Sequence, residues 1–173
     1  MITGEERYNK IINSTLPYFI KKYKLKNDNY TLVRKFFNDA KHMFENNSID
    51  ILHIDGNHSY EECKRDYEDF IDKIDLNKGI IIMHDIARGK PGAKHSNFGV
   101  YKLFNEIPHK KGFFLQHSGL GIITDNDTYY ELIENICNTV QIPILSKHDN
   151  FTIHKWTGFN KFYRGNISTE HLY

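Results

Sequence analysis

The spacing of apolar positions predicts alternating strands and helices in the middle of the chain. Four of the six residues at 49–54 are aliphatic, which we interpret as a parallel strand that is buried on both faces. Residues 60–74 place their apolar side chains on one helical face, and Ser59 with Glu62 forms a capping box before them. A second aliphatic strand is predicted at 80–83. Strand, helix and strand in this order predict a right-handed βαβ unit with two parallel strands.

The segments before this unit have a weaker pattern. Residues 5–24 have apolar side chains at helical spacing, and Pro17 within them predicts a kink or a restart of the helix. Residues 30–37 are predicted as a strand. Asn38 is predicted to cap a short helix over 39–46.

After the unit, the pattern predicts one loop, two helices and a strand pair. Residues 87–97 are rich in Gly, Pro and Lys and are predicted as a loop. Helices are predicted at 100–107 and 129–140. Between them, 113–116 and 121–124 are predicted to form an antiparallel pair. We expect an α/β domain over residues 1–140 and an irregular extension over 141–173 that packs on it.

Composition narrows the class of protein. With 173 residues and 39% hydrophobic content, the chain is long enough for a folded domain with its own core. A net charge of +1 gives no basis for a nucleic-acid or acidic-membrane partner. No apolar run has membrane-spanning length, and no signal-peptide pattern is present. Cys63 and Cys137 lie at apolar helix positions, which predicts buried reduced thiols and a cytoplasmic location.

Ionisable residues follow both strands of the predicted parallel pair. Asp55 and His58 come directly after the first strand, and His84 with Asp85 ends the second. Because the carboxyl ends of parallel strands meet at one edge, we expect these side chains to share a crevice. A buried carboxylate costs several kcal/mol unless it is paired, hydrogen-bonded or bound to a metal. The pattern therefore predicts a ligand site.

Structural roles compete with this prediction at several positions. Asp55 could simply cap the following helix, and His58 could pack at the N-terminus of that helix. His53, inside the first strand, is more typical of a satisfied core histidine. The Ser-Gly-Leu-Gly at 118–121 is interpreted as a turn and not as a dinucleotide-binding loop.

The segment from residue 49 to residue 86 resembles a known family. It reads IDILHIDGNHSYEECKRDYEDFIDKIDLNKGIIIMHDI and is similar to the middle of class I S-adenosylmethionine-dependent methyltransferases. Within them it resembles a branch of bacterial glycan and antibiotic-sugar gene clusters, often fused to glycosyltransferases. The likeness continues through FGVYKLFNEI and HSGLGIIT. It implies a three-layer Rossmann-like sheet, mostly parallel with a C-terminal antiparallel pair.

The resemblance also implies the chemistry of the strand ends. Metal-dependent relatives hold a divalent cation at these positions, which match Asp55, His84 and Asp85 here. Asp55 and His58 would act as the catalytic residues. An imidazole at position 84 favours Mn²⁺, Fe²⁺ or Zn²⁺, or no metal at all, because Mg²⁺ prefers oxygen ligands.

One family feature is missing from this sequence. No G-x-G motif precedes residue 49, so the family sheet is expected to be incomplete at its N-terminal half. We expect weak binding of S-adenosylmethionine or none, with Asn38 and Asp39 as a substitute donor site. The free edge of the 49–54 strand is expected to be covered by residues 30–37 or by a second chain, for example in a homodimer.

Three functions are compatible with the sequence. The first is O-methylation of a sugar or another small hydroxylated acceptor. The second is a non-catalytic remnant of a methyltransferase that serves as a binding or assembly module. The third is a metal enzyme without a methyl donor that uses His58, His84 and a carboxylate. Arg88, Lys90 and Lys94 could meet an anionic acceptor such as a nucleotide sugar, or could simply be solvated.

Overall fold

The chain has a mixed α/β fold with an open five-stranded sheet, consistent with a Rossmann-like architecture. The computed structural model describes residues 6, 9–24, 26, 30–89, 92, 94, 96–115, 118–139 and 161–172. The chain forms two compact units, Met1–Lys35 and Phe36–Tyr173. In the part that the structure describes, no helix is both long and apolar enough to cross a bilayer.

The first unit is helical. A π-helical turn, Ile11–Thr15, leads into helix α1, Leu16–Tyr23. Pro17 lies two residues after the π-helical turn, and residues 9–23 are helical without a break. The predicted kink or restart at Pro17 stays a prediction.

The sheet of the second unit is mainly antiparallel. Its strands are β1 Ile51–Ile54, β2 Ile80–His84, β3 Lys111–Phe114, β4 Leu120–Ile123 and β5 Tyr163–Arg164, in the spatial order β1-β2-β4-β3-β5. β1 and β2 are parallel, which confirms that prediction, and β3 with β4 is antiparallel as predicted. The pairs β2/β4 and β3/β5 are also antiparallel. The prediction of a mostly parallel sheet is therefore wrong for the described strands, because the β3–β4 hairpin joins β2 through β4.

The helices of the second unit agree in part with the apolar pattern. They are α2 Phe37–Ala40, α3 Tyr60–Phe70, α4 Val100–Glu106 and α5 Asp127–Thr139, with short 3-10 turns at Lys41–Met43, Ile71–Lys73 and Thr169–His171. Ser59 caps α3 by accepting a hydrogen bond from the Glu62 N–H, whereas the Glu62 carboxylate binds Arg65. The predicted cap at Asn38 is wrong, since α2 begins two residues earlier than predicted and Phe36 is its N-cap.

The predicted strand at 30–37 is also wrong. Residues 30–36 form neither helix nor strand, and Phe37 begins α2. Leu32 is 43% exposed and Phe36 is 79% exposed, so this stretch does not bury one alternating face. A β-prone sequence becomes a strand only when a neighbouring strand accepts its backbone hydrogen bonds.

β1 differs from the strand that the sequence predicts. Leu52 and Ile54 are buried, while Ile51 is 63% exposed and His53 is also exposed, so β1 buries one face and not both. β1 ends the strand order, and no other described strand pairs with its outer side. The predicted pairing of a 30–37 strand with this edge is wrong, because residues 30–36 form no strand. Coverage by a second chain stays a prediction.

The described part of the C-terminal segment belongs to the core. Phe162, Ile167 and Leu172 are buried, and β5 adds a short strand beside β3. The Asn105 side chain donates to the Ile167 carbonyl at 2.8 Å and accepts from the Ile167 N–H at 2.9 Å. The start of the predicted extension, residues 141–160, lies outside the described residues. The predicted domain division stays a prediction.

Candidate functional site

The carboxyl ends of β1 and β2 lie side by side. Ile54 pairs with Met83 in the parallel register, so the residues that follow these two positions, Asp55 and His84, come from adjacent strands. Asp85 follows His84 at the end of β2. The topology thus brings together the side chains that the sequence placed at one edge of the sheet.

The two carboxylates of this edge differ in exposure. The Asp85 side chain is 10% exposed, whereas the Asp55 side chain is 45% exposed. Asp85 also has a φ of 60°, in the left-handed region that non-glycine residues rarely occupy. Such strain persists only where the surrounding structure holds the backbone in place. It is frequent at functional sites.

His58 approaches both carboxylates from the segment between β1 and α3. Its Nε2 atom lies 2.9 Å from Asp85 Oδ2 and 3.6 Å from Asp55 Oδ1. One ligand atom from each of Asp55, His58 and Asp85 lies within 4.8 Å of the others, which is close enough to surround one metal ion. These three residues are called the carboxylate–histidine cluster below.

His84 lies beside this cluster. Its Nδ1 atom is 3.3 Å from Asp55 Oδ1 and 3.4 Å from Asp85 Oδ1. Despite these short distances, His58 Nε2 and His84 Nδ1 are buried atoms that make no hydrogen bond. Buried polar atoms in native structures nearly always have a partner, so two such nitrogens beside two carboxylates fit a cation site. The sequence assigned the third metal ligand to His84, whereas the compact set contains His58.

The end of the 87–97 loop supports His58. The Phe98 ring stacks on the imidazole with ring centres 4.4 Å apart, and the Gly99 N–H donates to the His58 carbonyl at 2.7 Å. A Cβ at Gly99 would lie 2.5 Å from Tyr60 Cβ, so only glycine permits this close approach to the start of α3. Sequence reasoning missed Phe98, since a single aromatic residue in a loop carries no periodic signal.

The start of β4 supports Asp85 from the other side. The Ala87 N–H donates to the Ser118 carbonyl at 2.8 Å, and Arg88 Nε donates to Ser118 Oγ at 2.7 Å. Gly119 has a φ of 81°, which suits the predicted turn. Sequence reasoning did not connect this turn with the site, because it did not place β4 next to β2.

The remaining predicted residues lie apart from the cluster or outside the description. Asn38 and Asp39 are exposed on α2, and in the described part of the chain no hydrogen bond or ion pair joins them to the cluster. Their role in donor binding stays a prediction. In the basic loop, Lys94 is exposed and Lys90 lies outside the described residues.

Comparisons with known proteins support a methyltransferase family. Residues 6–86 match a family model described as a methyltransferase domain. The chain is also 33% identical over 95 residues to the uncharacterized protein y4gI of Sinorhizobium fredii, a match that covers 53% of this chain and 10% of that protein. The chain thus spans about a tenth of the length of this relative. No solved structure matches the chain.

Proposed function

We propose that this chain carries the acceptor side of an S-adenosylmethionine-dependent O-methyltransferase that acts on a sugar or a similar small hydroxylated molecule. The carboxylate–histidine cluster at the adjacent ends of β1 and β2 carries the proposal. The methyltransferase-domain match over residues 6–86 supports the reaction class. The resemblance of residues 49–86 to glycan-modifying methyltransferases supports a sugar acceptor.

The residues of the cluster can take different parts in such a reaction. S-adenosylmethionine, when bound, would supply the methyl group that the acceptor oxygen takes. The hydroxyl proton must leave the acceptor oxygen, and Asp55 is the exposed carboxylate that can accept it. Asp85 is the buried carboxylate beside His58, with Oδ2 2.9 Å from Nε2, and its charge would compensate a cation held here.

The cluster fits a divalent cation held by Asp55, His58 and Asp85, with His84 alongside. The two buried ring nitrogens without hydrogen bonds are the observation that supports this fit. A mixed nitrogen and oxygen donor set favours Mn²⁺, Fe²⁺ or Zn²⁺ over Mg²⁺. A bound divalent cation would lower the pKa of a coordinated hydroxyl group.

A titration of the full chain with Mn²⁺ tests this proposal. We expect saturable binding by the natural chain and an affinity at least about tenfold lower for Asp85→Asn, which removes the buried charge. Asp72→Asn is the matched control, because Asp72 is an exposed carboxylate paired only with Lys73. Equal affinities in the two variants, or no binding by the natural chain, would rule out the metal site.

A second function is a metal enzyme without a methyl donor. The observation that favours it is the presence of two imidazoles beside the carboxylates, a donor set also used by non-haem iron enzymes. Binding of S-adenosylmethionine to the Mn²⁺-loaded chain, measured by calorimetry, separates the two functions. Because no G-x-G motif precedes residue 49, we expect this binding to be weak in the isolated chain.

A further inference from the structure

Arg88 lies next to the carboxylate–histidine cluster and is not one of its members. It follows Asp85 by three residues, and its side chain is 30% exposed. Its Nε donates to Ser118 Oγ at 2.7 Å, and this bond fixes the guanidinium group to the start of β4. A half-buried arginine held in this way stands beside the proposed acceptor site.

Arg88 forms a long ion pair with Asp85, and in the described part of the chain its terminal edge has no partner. Nε lies 3.5 Å from Asp85 Oδ1, which is beyond the usual length of an N–H···O hydrogen bond. Asp85 has the closer His58 at 2.9 Å, and the partner that Arg88 does bind is a neutral serine. In the described part of the chain, neither terminal Nη group of Arg88 makes a hydrogen bond. The terminal edge of the guanidinium therefore keeps both of its donor groups.

The geometry of an anchored guanidinium selects its ligand. The guanidinium is planar and always charged, and two parallel N–H groups match the two oxygens of a carboxylate or a phosphate. Fixing Nε to Ser118 also fixes the plane, so less side-chain freedom is lost when the terminal edge binds an anion.

We infer that Arg88 determines acceptor specificity by binding a carboxylate or phosphate group of the acceptor. The inference rests on the proposed function, which places the acceptor hydroxyl at the neighbouring cluster. The substrate class becomes an anionic sugar, either a sugar acid or a sugar phosphate, whose charged group lies near the reacting hydroxyl.

Calorimetry on the full chain tests this inference with glucuronate, glucose 1-phosphate and glucose as probes, each with and without Mn²⁺. We expect one of the anionic sugars to bind at least about tenfold more tightly than glucose, and the tighter of the two identifies the group as carboxylate or phosphate. Arg88→Gln should abolish the preference, and Arg88→Lys should keep part of it. Lys102→Gln, at an exposed cation on α4, is the matched control and should change nothing.

Two results would overturn the inference. One is equal binding of glucose and both anionic sugars by the natural chain. The other is an Arg88→Gln variant that keeps the preference, or that loses Mn²⁺ affinity in parallel with it, since Arg88 would then act only through Asp85. Ser118→Ala is a second test in case Arg88→Gln does not fold. It retains the charge of Arg88 but removes the hydrogen bond that fixes the guanidinium, so it should weaken the preference for an anionic sugar.

The same data separate this inference from the proposed function. A natural chain that binds no Mn²⁺ but prefers an anionic sugar through Arg88 contradicts the metal site and upholds the role of Arg88. A chain that binds Mn²⁺ without any preference for an anion upholds the metal site and contradicts the role of Arg88.

Discussion

Two groups of polar residues flank strands of the same sheet, and they differ in how well their hydrogen bonds are satisfied. One is the carboxylate–histidine cluster at the ends of β1 and β2. The other lies just after β4, where Thr124 is fully buried. Thr124 Oγ1 lies 2.9 Å from the Gly79 carbonyl and 3.2 Å from that of Leu76, and it accepts from the Asn126 N–H at 3.2 Å. The hydroxyl oxygen of Thr124 is therefore fully hydrogen-bonded.

The neighbours of Thr124 are equally well satisfied. Asp125 binds His109 Nδ1 at 2.7 Å and accepts from the Lys110 N–H at 3.1 Å. Lys111 is buried, which lowers its pKa, and its ammonium donates to three carbonyls at the end of α4. A cation at a helix C-terminus also interacts favourably with the helix dipole. These bonds join the ends of β4 and α4 to the starts of β2 and β3, and they serve the fold.

The cluster at β1 and β2 has the opposite character. Two buried ring nitrogens lack hydrogen bonds, and Asp85 occupies strained backbone. The difference teaches that polar residues at a strand end do not by themselves indicate function. Here the unused bonding capacity coincides with backbone strain and with converging ligand atoms, and that combination favours a ligand site.

The largest effect on stability is expected at Thr124, in the polar group after β4. Thr124→Val keeps the shape of the side chain but removes its hydroxyl, so the free energy of unfolding should fall by about 2–3 kcal/mol. Urea unfolding of the full chain measures this change. Mn²⁺ affinity should stay at the natural value, and a variant that lost metal binding while keeping its stability would erase the distinction between the two groups.

The next effect is expected at Asp55 and concerns binding. Asp55→Asn removes a charge that compensates a cation, so Mn²⁺ affinity should fall at least about tenfold. The melting temperature should stay level or rise, because repulsion between the carboxylates is relieved. The outcome that would contradict a functional Asp55 is a loss of several kcal/mol of stability with metal binding intact.

A smaller difference is expected between the two histidines. His58→Gln should lower Mn²⁺ affinity about tenfold more than His84→Gln, because His58 belongs to the compact set of ligand atoms. Parallel titrations of the two variants measure the difference. The reverse order would favour the ligand set that the sequence indicated, with His84 in place of His58.

The remaining prediction concerns Cys63, whose buried thiol reports local opening. Burial raises the pKa of its thiol from 9.0 to about 12, so the folded thiol stays protonated where the unfolded one ionises. The unfolded state then binds fewer protons, and this contribution to stability is present below about pH 9 and lost towards about pH 12.

Alkylation of Cys63 in a Cys137→Ser background, followed by mass spectrometry, measures the opening. The rate should rise in Thr124→Val and change less than about twofold in Asp55→Asn, because labelling through an open state follows stability. A large increase in Asp55→Asn would show that Asp55 supports the fold.

The sequence by itself determined the β1–α3–β2 unit and the residues at its strand ends. Apolar periodicity and the Ser59 cap are local properties, and a βαβ connection makes its two strands parallel, which brings Asp55 and Asp85 to the same edge. These predictions needed no knowledge of the rest of the chain.

Only the tertiary structure decided which strands became neighbours. β4 lies between β2 and β3, and this places Ser118 beside Arg88. Residues 30–36 have β-prone side chains but no strand partner, and β1 exposes one face. The physical reason is that strand pairing depends on hydrogen bonds and side-chain packing between distant segments, which the local pattern of a single strand does not encode.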